Sequence, residues 1–165
     1  MDDMESAVRA PTHEQVEGWL NDDAGWKTRL SWAKRTDWTP TPEQVEMGLT
    51  NAYWRVRKMW VKRMDWTPTR EQIESGLKDH DSVRLAWAER MDWTPTPEQV
   101  ERGLMDERWR VRAAWAVRRD IHPSHEQVER GLNDSSGTVR YAWMDRLGLE
   151  QDMVLESESD VSASL

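Results

Sequence analysis

The chain has 165 residues, a net charge of −8, 33% charged residues and a mean hydropathy of −0.93, with no Cys, no Phe and 12 Trp. That length is about one domain's worth, and the missing Cys excludes disulfides and thiolate metal sites. The Trp content argues against simple disorder, because disordered segments are poor in aromatics.

Residues 1–10 form a short N-terminal segment whose start is acidic and lacks the apolar core of a secretory signal. No apolar run approaches the roughly 18 residues a membrane span needs, so the expectation is a cytoplasmic protein without membrane contact. The acidity is terminal. Asp2, Asp3 and Glu5 at one end and Glu150, Asp152, Glu156, Glu158 and Asp160 at the other leave 23 acids against 23 Lys and Arg between them.

From residue 11 the chain repeats itself. Glu-Gln-Val/Ile-Glu begins at Glu14, Glu43, Glu71, Glu98 and Glu126, in steps of 29, 28, 27 and 28 residues. A second series, Trp32, Trp60, Trp87, Trp115 and Trp143, runs beside it. Each of the first four Trp stands 11 residues before the next Glu-Gln, so all length variation falls between the two segments of a repeat, in a surface turn.

The first segment of each repeat opens with a capping box: Thr12–Gln15, Thr41–Gln44, Thr69–Gln72, Thr96–Gln99 and Ser124–Gln127. It predicts a helix of about eight or nine residues, Pro97 to Leu104 in the fourth repeat. Gly48, Gly76, Gly103 and Gly131 near its end are expected to admit a neighbouring helix closely. The second segment is a helix centred on the recurring Trp. Val56, Val83, Val111 and Val139, with Thr28 in the first repeat, stand one turn before it and make an apolar stripe. A buried Trp removes about 200 Å² from water, worth roughly 3–5 kcal/mol, so five such indoles could hold an array together.

Six of the remaining Trp fall into two registers. Trp38, Trp66 and Trp93 precede the Thr-Pro turns, where Ile121 and Leu149 also stand, so that site reads as buried. Trp26, Trp54 and Trp109 share a register with Asp81 and Gly137, so that site reads as exposed, and exposed Trp is enriched at binding hot spots. Residues 150–165, acidic, Ser-rich and without aromatics, read as a disordered tail.

The run Gly131-Leu-Asn-Asp134-x4-Val139-Arg140-x-Ala142 resembles the HEAT-like pattern, in which an aspartate ends the first helix and Val-Arg opens the second. Gly103 to Ala114 matches it too. With the Thr-Pro that follows, residues 11–147 look most like the bacterial leucine-rich repeat variant branch of that superfamily, and the repeat domain is taken as 11–149. The departures are the longer repeat, Asn51 for Asp, Thr28 for Val, and Trp for small aliphatics. The resemblance implies an all-α, right-handed α-solenoid of five helix pairs of about 28 residues, and a structural ladder through Arg57, Arg84, Arg112 and Arg140.

Two Arg rows flank the central Trp at three residues on either side: Arg29, Arg57, Arg84, Arg112, Arg140 and Arg35, Arg63, Arg90, Arg118, Arg146. One reading pairs them between repeats with Asp37, Asp65, Asp92 and Asp120 and stacks them on indole. The other makes them a basic groove, extended by Arg55, Lys58, Lys62, Arg108, Arg110 and Arg119. His13, His80, His122 and His125 are scattered, and no phosphate loop or nucleophile motif occurs, so neither catalysis, cofactor nor metal is expected. The leading expectation is a protein–protein interaction module, an inhibitor or adaptor of the kind a phage or bacterium encodes. Its partner-binding residues would be Trp26, Trp54, Trp109, Arg55, Arg110, Lys58 and Lys62. The alternative is nucleic-acid binding through the Arg rows, and a third reading is a homo-oligomer stacked end to end.

Overall fold

The computed structural model describes residues 11–21 and 25–149. The N-terminal segment 1–10 and the acidic tail 150–165 lie outside the described residues. The described chain is all-helical, with ten helices and no strand: α1 (His13–Asn21), α2 (Gly25–Ala33), α3 (Pro42–Leu49), α4 (Trp54–Lys62), α5 (Arg70–Gly76), α6 (Asp81–Glu89), α7 (Pro97–Leu104), α8 (Trp109–Ala116), α9 (His125–Leu132) and α10 (Gly137–Leu147). It divides into two compact units, Met1–Asp92 and Trp93–Leu165. Odd-numbered helices are the first helices of the sequence repeats, and even-numbered ones the second.

The capping boxes set the first helices. At Thr41, Thr69, Thr96 and Ser124 the side-chain oxygen accepts from the backbone N–H three residues on, and the Gln there reaches back to the cap amide. Thr12 and Gln15 make the same reciprocal pair. The second helices start differently. Asn51, Asp106 and Asp134 each accept from the amide two residues later, at Tyr53, Arg108 and Ser136, and turn the chain into α4, α8 and α10. The third repeat is one residue shorter here, so Asp79 accepts from the adjacent His80 amide, and the His80 ring caps Ser82 instead.

In the first unit α4 packs against α2, α3 and α6, while α1 packs against α2 and α3, and α5 against α6. In the second unit α8 packs against α7 and α10, and α9 against α7 and α10. Second helices thus lie on second helices within each unit. Their shared core is indole and valine: Trp60, Trp87, Trp115 and Trp143 are each 1% exposed or less, beside Val56, Val83, Val111 and Val139.

The glycines at this register admit the neighbouring second helix through its indole. A Cβ placed on Gly48, Gly76, Gly103 or Gly131 would overlap ring atoms of Trp60, Trp87, Trp115 or Trp143, the Trp of the same repeat. The first repeat shows the consequence of losing the glycine. Trp19 occupies its register, the Trp32 ring cannot enter, and it stacks instead on Trp19 at an interplanar angle of 9°. Trp32 is therefore only half-buried, unlike the four indoles that the sequence pattern groups with it.

The second Trp register caps the core edge-on. Trp38 meets Trp60, Trp66 meets Trp87, and Trp93 meets Trp115, with centroids 6.0–6.1 Å apart and planes at 73–84°. Trp38, Trp93 and Ile121 are buried and Trp66 half-buried, but Leu149 at the same register is 43% exposed, with no described helix after it to cover it.

Candidate functional site

In the later Arg row, Arg63, Arg90 and Arg118 each sit between two indoles and donate to backbone carbonyls. The Arg63 guanidinium lies 4.5 Å from the Trp38 ring centroid and 5.3 Å from that of Trp60. It donates to the carbonyls of Ala33, Arg35 and Trp38 and to both carboxylate oxygens of Asp65. Arg90 repeats this between Trp66 and Trp87, with the carbonyls of Val61, Arg63 and Trp66 and with Asp92. Arg118 lies between Trp93 and Trp115 and donates to the Trp93 carbonyl and Asp120. Arg146 donates to the carbonyls of Ala116, Arg118 and Ile121, but Gly148 stands where the aspartate would be. Burial pushes its guanidinium pKa down, and Arg119 nearby adds to this.

This arrangement corrects the expected inter-repeat pairing of Asp65, Asp92 and Asp120. Each lies two residues after its Arg, at the start of the turn, and pairs within its own repeat, as Asp37 does with Arg35. What crosses between repeats is the guanidinium's remaining N–H groups, onto backbone. The Arg90 contact holds the Asp92 carboxyl below its usual range. The earlier Arg row makes different partners. Arg57 forms a bidentate pair with Asp79 (2.7 and 2.5 Å) and donates to the Asn51 and Ala52 carbonyls. Arg112 does the same with Asp134 (2.7 and 2.8 Å) and the Asp106 and Glu107 carbonyls. Arg84 and Arg140 donate to their own turn carbonyls at Asp79 and Asp134. The hydrogen bonds from Arg112 hold the Asp134 carboxyl below its usual range, helped by the Ser136 amide.

The first-helix acids are also engaged. Gln72 donates to Glu46 at 3.0 Å, and Gln127 and Arg130 both reach Glu101. The Gln127 hydrogen bond, and then Arg130, hold the Glu101 carboxyl below its ordinary range. The Gln of a capping box thus also binds the previous repeat's first helix.

The seven expected partner-binding residues separate between the units. In the first, Trp26 and Trp54 are half-buried rather than open. Trp54 stacks on His80 with centroids 4.4 Å apart and planes at 2°. The Arg55 guanidinium lies 5.2 Å from the Trp26 ring centroid and 4.7 Å from that of Trp54, and Lys27 lies 5.8 Å from that of Trp26. Lys58 and Lys62 follow Arg55 on one stripe of α4 at i+3 and i+7. In the second unit Trp109 is 41% exposed, with the Arg110 guanidinium 4.9 Å from its ring centroid.

The sequence pattern did not point to the groove at the C-terminal ends of α2 and α4. It is open, about 470 Å³, and lined by Ala33, Lys34, Thr36, Met59, Lys62, Arg63, Met64 and Asp65. Met64 is 63% exposed. The Asp65 carboxylate on its wall is held by Arg63. Among the described residues, Lys27 on α2, Lys34 just after it, and Arg55, Lys58 and Lys62 on α4 form no ion pair. The legible signal was that Lys34 and Lys62 share one register, two residues after the central Trp, while Glu89, Val117 and Asp145 occupy it elsewhere.

Among the described residues no group of three or more His, Asp or Glu has the arrangement of a metal site, and no helix is long and apolar enough to cross a membrane. No protein-family model, curated protein or solved structure matches the chain.

Proposed function

We propose that the chain is a non-catalytic protein–protein interaction module. It is built as a right-handed α-solenoid of five HEAT-like helix pairs, closest to the leucine-rich repeat variant type, and serves as an inhibitor or adaptor. The observation that carries this is a division of labour among the polar side chains. Most of the recurring Arg, Asp and Gln described above are bonded into the scaffold, whereas the second-helix face of α2 and α4 keeps five cations without carboxylate partners beside a methionine-lined groove. Free charge around an adaptable apolar surface suits recognition of another protein. The stacking of second helices on second helices within each unit supports the solenoid reading.

The test is capture of partners from native lysate by the tagged chain, with and without nuclease, alongside the variant K34E/K62E. A protein retained at stoichiometric level after nuclease, and lost from the variant while its helical circular dichroism is unchanged, supports the proposal. Capture that disappears with nuclease moves the function to nucleic acid. That second reading is favoured by the same five cations, and it requires affinity to fall steeply with salt as counterions are released.

A further inference from the structure

We infer that the α2–α4 face binds an acidic peptide segment whose apolar side chains enter the Ala33–Met59–Met64 groove and whose carboxylates meet Lys34, Lys62, Lys58 and Arg55. This rests on the reading of the chain as a protein-interaction module and names the chemistry of its partner.

Three observations select this occupant. The first is charge. Arg55, Lys58 and Lys62 stand at i, i+3 and i+7 on α4, Lys27 on α2 and Lys34 in the turn that follows it, with no carboxylate paired to any of them among the described residues. By contrast, Arg35, Arg57, Arg63, Arg90, Arg112, Arg118 and Arg130 each pair with a carboxylate. The second is the floor of the groove. Met59 and Met64 with Ala33 give an apolar, deformable surface that phosphates cannot use and apolar side chains can. The third is that the indoles beside the cations are already covered. Trp54 lies against His80, and Arg55 lies over both Trp26 and Trp54, so neither indole is left as an open stacking platform for a base.

Length points the same way. Seven residues of helix separate Arg55 from Lys62, a strip of about 10 Å at ~1.5 Å per residue. Such a strip meets only about three phosphates of one strand at ~3.4 Å each, little for a binder driven by counterion release. Two turns of an acidic helix, with carboxylates at the same i, i+3/4, i+7 spacing, match it along its length. The flanking registers on α6 end the strip, since Ser82, Leu85 and Glu89 stand where α4 has Arg55, Lys58 and Lys62.

The experiment is fluorescence anisotropy of the full chain with three labelled probes: a synthetic helix-forming peptide of Glu and Leu, poly-glutamate of the same length, and a short DNA duplex. The Glu/Leu peptide is expected to bind most tightly. K34E/K62E should weaken it about tenfold or more, as for removal of paired interface charges. M64S, at an exposed position that does not disturb the core, should weaken the Glu/Leu peptide several-fold and leave poly-glutamate unchanged. Equal binding of the peptide by wild type and K34E/K62E overturns the inference, and so does tighter binding of the duplex than of the peptide. The two readings fail separately. A nuclease-resistant protein partner still captured by K34E/K62E overturns this face and leaves the interaction module standing, whereas a partner lost with nuclease removes the module itself.

Discussion

Replacing Gly103 with Ala tests the central packing idea, because Gly18 supplies the opposite result within the same chain. Both glycines lie in first helices, where Ala is intrinsically favoured over Gly by about 0.5–1 kcal/mol. At Gly103 a methyl group would overlap the Trp115 indole. That ring is 1% exposed, meets Trp93 edge-on and has the Arg118 guanidinium 5.3 Å from its ring centroid, so it has nowhere to retreat. Overpacking a fixed core costs about 1–3 kcal/mol, and more where neighbours cannot give. Set against the propensity gain, G103A should lose about 2 kcal/mol, roughly a thirtyfold shift in the folded-to-unfolded ratio. Around Gly18 nothing lies within 4 Å of the added carbon, so G18A should gain about 0.5–1 kcal/mol. Urea titrations followed by Trp fluorescence and by circular dichroism read both. A G103A protein as stable as wild type, or a G18A protein destabilised to the same extent, would refute the indole-on-glycine account.

Arg90→Lys should be costly despite keeping the charge. A lysine cannot serve three carbonyls and a carboxylate at once, so a loss of about 3 kcal/mol is expected in the same titrations. Acid should weaken the protein through Asp134, Asp92 and Glu101, whose folded-state pKa values are depressed. Their contribution is present above the unfolded carboxylate pKa of about 4 and is lost as pH falls through the lower folded values. Stability measured from pH 6 downward should therefore decline, and D134N should flatten part of that slope; an unchanged slope would rule out the Arg112–Asp134 pair as a source. Trp87→Ala should cost about 3–5 kcal/mol, whereas Trp109→Ala, at a 41% exposed position, should leave the urea midpoint nearly unchanged.

The helices were legible because their punctuation is local. Thr96 and Gln99 carry their capping box in four residues, and the structure forms it as the sequence implies. The burial of Trp60, Trp87, Trp115 and Trp143 was legible for the same reason, through an apolar neighbour one turn away. Three things were not. The Gly–Trp contact joins two helices, although its recurring spacing (12 residues from Gly48, Gly103 and Gly131, 11 from Gly76) and the arrival of Trp19 in the glycine register held the clue. The pairing of Asp65, Asp92 and Asp120 depended on which way a guanidinium turns once it lies between two rings. The exposure of Trp54 was misjudged because its cover, His80, belongs to the one turn that is a residue shorter, where register counting is least informative.

Repetition also indicates where function can reside. A register occupied by the same residue in every copy is tied to the array, as Arg63, Arg90, Arg118 and Arg146 are by carbonyls of the preceding turn. Mutating such a residue reports on folding whatever else it does. Registers that change from copy to copy carry no shared packing duty, and only there can a surface be shaped for a partner without loss of the scaffold. Two residues after the central Trp the chain places Lys34, Lys62, Glu89, Val117 and Asp145 in turn, and two before it Leu30, Lys58, Leu85, Ala113 and Tyr141. At these two registers the cations fall in the first two copies, alongside Met59 and Met64, and none follows from α6 onward. A solvated face has no need of such grouping. A binding face does, because charges act together on one ligand only when they lie within reach of it.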